Sequence, residues 1–156
     1  MNKLHYGIAA EIENVQVVDN ADTSSVLYTY ELVNNDKDVL YVLDPDKMGT
    51  GLFHYFTNGI EFRSDDGNFS SEYKNVEQPE SFTSWKSSWF TEIKAGEKMK
   101  RTVLLKGYPP IPAGAYTCEF VFSSPVKIEK SKRYINGGRI WIGQIKTEKA
   151  SFSVQL

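Results

Sequence analysis

Cysteine is nearly absent from this chain of 156 residues; Cys118 stands alone. No intramolecular disulfide can form, and one thiol cannot build a cysteine-based zinc or iron–sulfur site. A lone thiol fits a reducing compartment, and equally a periplasmic protein without bridges. Histidine is almost as scarce, with only His5 and His54, which restricts histidine metal sites and acid–base chemistry. No apolar run approaches the about 18–20 residues of a membrane helix. The start, Met1-Asn2-Lys3-Leu4-His5-Tyr6, lacks the apolar stretch of a secretory signal. The expected location is the cytoplasm if the chain is full length, and the periplasm or exterior if a signal was removed.

An excess of one charge is also missing. Lys and Arg number 18 against 20 Asp and Glu, a net charge of −2. That excludes a generic polyelectrolyte binder, and no nucleic-acid partner is expected. The balance conceals a split. Residues 1–80 carry 15 acidic and 5 basic side chains, whereas residues 81–156 carry 5 and 13. In a Greek-key sandwich early and late strands lie side by side. The split therefore predicts cross-strand ion pairs or two oppositely charged ends. Opposite ends would favour charged-partner steering or self-association in low salt.

What the chain does have is period-two alternation. Hydrophobic residues make up 40% and aromatics 13%, enough for a globular core. Ile8, Ala10 and Ile12 alternate, then Val15 and Val17 continue out of phase, which predicts a bulge or a change of sheet. Residues 26–33 are rich in β-branched and aromatic types. Asn34-Asn35-Asp36-Lys37-Asp38 is a turn cluster, so Val39–Leu43 is expected to pair back on residues 26–33. Asn58-Gly59 has hairpin character. Asp65-Asp66-Gly67-Asn68 and residues 94–98 are turns, and Pro109, Pro110 and Pro112 stiffen the approach to residues 115–123. There Tyr116, Cys118, Phe120 and Phe122 share one face. Asn136-Gly137-Gly138 marks a hairpin or long loop, Gly143 a bulge, and residues 150–156 a last alternating strand. Only Phe82 and Trp85 are spaced for a helical or 3₁₀ turn. The expected architecture is all-β: one antiparallel β-sandwich domain over residues 1–156, with eight to ten strands.

Ile111-Pro112-Ala113-Gly114-Ala115-Tyr116-Thr117-Cys118-Glu119-Phe120 resembles the L-P-x-G-x-Y opening of a late strand in immunoglobulin-like sandwiches. In those domains the tyrosine hydroxyl bonds backbone upstream, and Tyr116 stands at the tyrosine-corner spacing, two residues before Cys118. Residues 26–43 contain neither the disulfide partner nor its packing tryptophan, so the chain departs from antibody-type domains. The order Leu32-Val33-Asn34-Asn35, Ile93-Lys94-Ala95-Gly96-Glu97, Pro112-x-Gly114-x-Tyr116 and Trp141-Ile142-Gly143 resembles small bacterial immunoglobulin-like modules. Its layout is similar to the bacterial intracellular proteinase inhibitor family. The resemblance implies a sandwich and a binding or inhibitory role, with no inhibitory loop carried over residue by residue.

Several side-chain groups could carry function. Phe82, Trp85, Trp89 and Phe90 cluster in a Ser/Thr-rich segment and would form a protein or carbohydrate surface, or else plug the end of the sandwich. Lys130, Lys132, Arg133 and Tyr134 form a basic stretch that would meet an acidic partner, or else a solvated hairpin. Asp44 and Asp46, near Asp36 and Asp38, are weak metal candidates, because oxygen-rich loops bind Ca²⁺ and Asp is also a default turn residue. His54 lies in an aromatic strand context without a G-x-S-x-G elbow. Cys118 reads as a buried packing residue. Asn68-Phe69-Ser70 is a glycosylation sequon, meaningful only in a eukaryotic secretory route.

The expected function is non-catalytic protein binding, with enzyme inhibition as a specific form. The alternatives are a carbohydrate-binding module using Trp85 and Trp89, a β-rich toxin or pore-forming component, and a hydrolase with a cryptic site. No cofactor is expected.

Overall fold

The computed structural model describes residues 7–18, 21–47, 58–72, 87–124 and 134–155. They form strands β1 (Ile8–Val18), β2 (Ser24–Asn34), β3 (Leu40–Leu43), β4 (Asn58–Ser64), β5 (Ser70–Ser71) and β6 (Phe90–Ile93). The chain continues through β7 (Lys98–Tyr108), β8 (Gly114–Ser124), β9 (Tyr134–Ile135), β10 (Gly138–Ile140), β11 (Gly143–Lys146) and β12 (Ala150–Val154). Short 3₁₀ turns occupy Pro45–Lys47 and Ser87–Trp89. The fold is all-β and sandwich-like. No helix among the described residues is long and apolar enough to cross a membrane.

The described residues form three sheets, ordered β1-β2-β7, β6-β3-β10-β9 and β11-β8-β4-β5, with β12 also on β8. All pairings are antiparallel except β3 with β10. The first and third sheets face each other across an aromatic layer. Val26, Tyr28, Tyr30 and Leu32 of β2 are fully buried. The Tyr30 ring stacks on Phe120 of β8 at a centroid distance of 4.7 Å, and Tyr28 lies 5.5 Å from the same ring. Leu40, Val42 and Ile93 of the second sheet join this core. The opposite face of that sheet builds a smaller cluster of Tyr41, Leu43, Phe90 and Ile140. All four residues of β3 are therefore buried, as a strand covered on both faces must be.

The expected bulge in β1 is present. Pairing with β2 shifts between Glu13 and Gln16, and Asn14 takes a left-handed φ of 55°. The tyrosine corner also forms, with the Tyr116 hydroxyl donating to the Pro112 carbonyl at 2.6 Å.

Three details differ from the sequence expectation. β3 does not pair with β2; the intervening turn carries the chain from the first sheet to the second. Asn34 fixes that crossing. Its side-chain amide donates to the Asp38 and Ile93 carbonyls at 2.9 and 2.8 Å, and its backbone exchanges bonds with Gly96 and Glu97 in the β6–β7 turn. Asn58-Gly59 opens β4 opposite Phe122 and Val121 instead of turning, because pairing with β8 overrides a local turn preference. The late region is also more broken than expected, so twelve strands are described instead of eight to ten. Trp141-Ile142 switches the chain between sheets. Thr147 then interrupts β11 and β12, its hydroxyl accepting from the Phe120 amide at 3.0 Å. Gly143 starts β11 at a φ of 157°, and a Cβ there would come within 3.2 Å of the Trp141 ring.

The charge split resolves into cross-strand pairing. Every ion pair among the described residues joins an acid of residues 1–80 to a base of residues 81–156. The partners are Glu13–Lys100, Glu31 with Lys98 and Lys100, Asp44 and Asp46 with Arg101, Asp36–Arg139, and Glu61–Lys146.

Candidate functional site

Asp44 is the most heavily bonded of the residues singled out from sequence. It follows β3 and is 1% exposed. Its Oδ1 accepts from Arg101 Nε at 2.9 Å and from the Asp46 amide at 3.0 Å. Its Oδ2 accepts from Arg101 Nη2 at 2.6 Å and from the Thr91 hydroxyl. Burial pushes the Asp44 carboxyl upward, but the Arg101 guanidinium, Thr91 hydroxyl and Asp46 amide outweigh it and hold the group below the usual carboxylate range. Asp46 is exposed and lies 3.1 Å from Arg101 Nε. The solvated-turn reading of Asp44 is therefore corrected. A cation would have to displace a bidentate guanidinium, and no cluster of metal-ligating side chains occurs among the described residues. The sequence signal was Arg101 itself, an arginine in the inward row Met99, Arg101, Val103, Leu105. Tyr30, opposite Arg101 in the ladder, has a buried hydroxyl without a hydrogen-bond partner among the described residues. Burial first, and Asp44 second, push its pKa far up.

Of the aromatic and basic candidates, only Trp89, Phe90 and Tyr134 lie among the described residues. Trp89 is half-buried against the Tyr41–Leu43–Phe90–Ile140 cluster. Phe90 is buried within that cluster, so it supplies packing and no free surface. Tyr134 is 63% exposed on β9, with β3 and β10 between its strand and β6. Phe82, Trp85, Lys130, Lys132, Arg133 and His54 lie outside the described residues. Burial pushes the Cys118 thiol up to about 11, with Glu119 adding to the effect. A neutral buried thiol of this kind offers packing, not nucleophilicity.

Two surface depressions among the described residues bear on binding. The larger, about 520 Å³, lies on the third sheet and is lined by Glu61, Arg63, Asp65, Thr117, Glu119 and Lys149 among others. Two of its carboxylates have partners within the sheet. Lys146 reaches Glu61 at 2.9 Å, and the Thr117 hydroxyl donates to Asp65 at 3.2 Å. Phe62 and Cys118 at its floor are buried, so no partly exposed apolar row borders it.

The second depression, about 400 Å³, is a seam between the first and third sheets, lined by residues 9–12 of β1 and residues 145–150. Sequence reasoning did not single it out. Ala10, Ile12, Val15 and Val17 point to the core yet are only partly buried, whereas their counterparts on β2 are fully buried. β1 ends its sheet, and its far side pairs with no strand among the described residues. The two ends of this sheet are defended differently. β7 carries Lys98, Lys100 and Lys106 and the inward Arg101, the kinds of charge that block edge pairing. β1 has no lysine and no inward charge, and it runs regularly from Ile8 to Glu13 before its bulge. The signal in the sequence was the small Ala10 between Ile8 and Ile12, which leaves the inward row of β1 thin. No protein-family model matches the chain, and no curated protein is similar to it in sequence.

Proposed function

We propose that this is a non-catalytic protein-binding module that takes an extended segment of a partner as an added strand along Ile8–Glu13. One observation carries the reading: a half-covered apolar row borders a 400 Å³ cleft, whose other wall carries Lys146, Glu148 and Lys149, beside a strand edge that pairs with no strand among the described residues. Strand addition satisfies both features. The partner's backbone bonds the free edge of β1, and alternate side chains enter the cleft beside Ala10, Ile12, Ile145 and Ala150. Apolar area closed off there is worth about 25 cal/mol per Å². The resemblance to proteinase inhibitors implies enzyme inhibition as a specific form, which a proteinase panel tests directly.

The deciding measurement is amide hydrogen exchange with a bound peptide, selected from an extended alternating-hexapeptide library. Slowed exchange at residues 8–13, together with loss of binding in Ile12→Lys, supports strand addition. Binding that leaves those amides unchanged overturns it.

A further inference from the structure

The outward face of the same edge specifies the partner's charge, an inference that rests on the strand-addition reading. Glu11 stands directly opposite Glu31 in the β1–β2 ladder. Like charges at directly opposed positions destabilise a sheet. Glu31 is relieved, because Lys98 and Lys100 lie 3.5 and 4.0 Å from its carboxylate. Glu13 is relieved by Lys100 at 2.8 Å. Glu11 has no ion pair or hydrogen bond among the described residues and is exposed. The row across the sheet reads Glu11, Glu31, Lys100, with two anions adjacent and a cation at one end only. A further strand beyond β1 would place one outward residue directly against Glu11 and complete the row.

We infer that the captured segment alternates apolar residues with lysine or arginine, its apolar side chains in the cleft and a cation against Glu11. The same geometry argues against a second copy of this chain as occupant. Antiparallel β1–β1 pairing that keeps Ala10 and Ile12 inward, centred on Glu11 or Ile12, sets Glu11 against Glu11 or Glu13 of the other copy. Such opposed carboxylates select against self-pairing.

Three capped hexapeptides test this by fluorescence anisotropy: alternating Val/Lys, Val/Ser and Val/Glu. Affinity should fall in that order, with roughly a two- to five-fold step between the Lys and Ser peptides at low salt. The step should shrink as salt is raised. Glu11→Gln should remove the difference between the Lys and Ser peptides, and Glu11→Lys should invert it. Equal binding of all three peptides to the wild type, or a preference that survives Glu11→Gln, overturns the charge inference and leaves strand addition standing. Failure of all three to bind, with residues 8–13 unprotected, overturns both.

Discussion

β1 and β2 are neighbours in one sheet, each eleven residues long and each alternating, yet only β2 is closed in. β2 has a strand on both sides and bulky inward residues, Tyr28 and Tyr30, that meet Phe120 across the core. Among the described residues β1 has one neighbour, small inward residues and an opposing layer that ends at β11 and β12. Alternation decides which side chains face inward. Whether anything covers them depends on where the facing sheet stops, which is a property of the whole assembly. A strand can therefore look fully internal by pattern and still present an unfinished surface.

Substitutions can break or sharpen this contrast. Phe120→Ala removes the ring that caps β2 and should cost about 3–5 kcal/mol, measured by urea denaturation. Arg101→Ala leaves the Asp44 carboxylate buried without its partner and should cost about 3–5 kcal/mol, toward the lower end because Arg101 is 23% exposed. The loss should depend on pH. Asp44 has a folded pKa below its unfolded value, so its contribution is full above the unfolded value and disappears as pH falls through the folded one. Denaturation midpoints of wild type and Arg101→Ala should converge in acid. Ile12→Ala should cost about 1 kcal/mol, since a half-exposed side chain leaves no closed cavity. If it costs as much as Phe120→Ala, β1 is covered as well as β2 and the contrast fails. Tyr30→Phe removes a hydroxyl buried without a partner and should raise stability by about 1 kcal/mol in the same denaturation assay. Glu11→Lys replaces a like-charge pair with an opposite one and should raise stability by about 0.2–1 kcal/mol in thermal melts.

The features legible in the sequence were the ones set by short stretches of chain. The phase slip from Ile12 to Val15 announced the β1 bulge. The Tyr116 hydroxyl bond to backbone upstream was implied by the resemblance to immunoglobulin-like sandwiches, and it falls on the Pro112 carbonyl. Turn residues at 34–38 correctly placed a turn, but turn chemistry says only that the chain bends. It does not say that Asn34 will bond Ile93 and send the next strand into another sheet. The Asp44–Arg101 pair spans 57 positions, and nothing near Asp44 distinguishes it from an ordinary turn aspartate. The seam was hidden for the same reason, because residues 9–12 and 145–150 meet only after the sheets assemble.

The ion pairs between the two halves also bear on how the molecule comes to be folded. As synthesis proceeds, the first 80 residues emerge with a ten-charge acidic excess and without the strands that β2, β3 and β4 require. β2 awaits β7, β3 awaits β6 and β10, and β4 awaits β8. Self-repulsion keeps such a segment expanded and soluble, and the pairings it lacks are all distant in sequence, which makes folding slow. The acidic half can pair β1 with β2 and β4 with β5 by itself, whereas its other pairings wait for the basic complement. Refolding in vitro should consequently be limited by the meeting of the two halves.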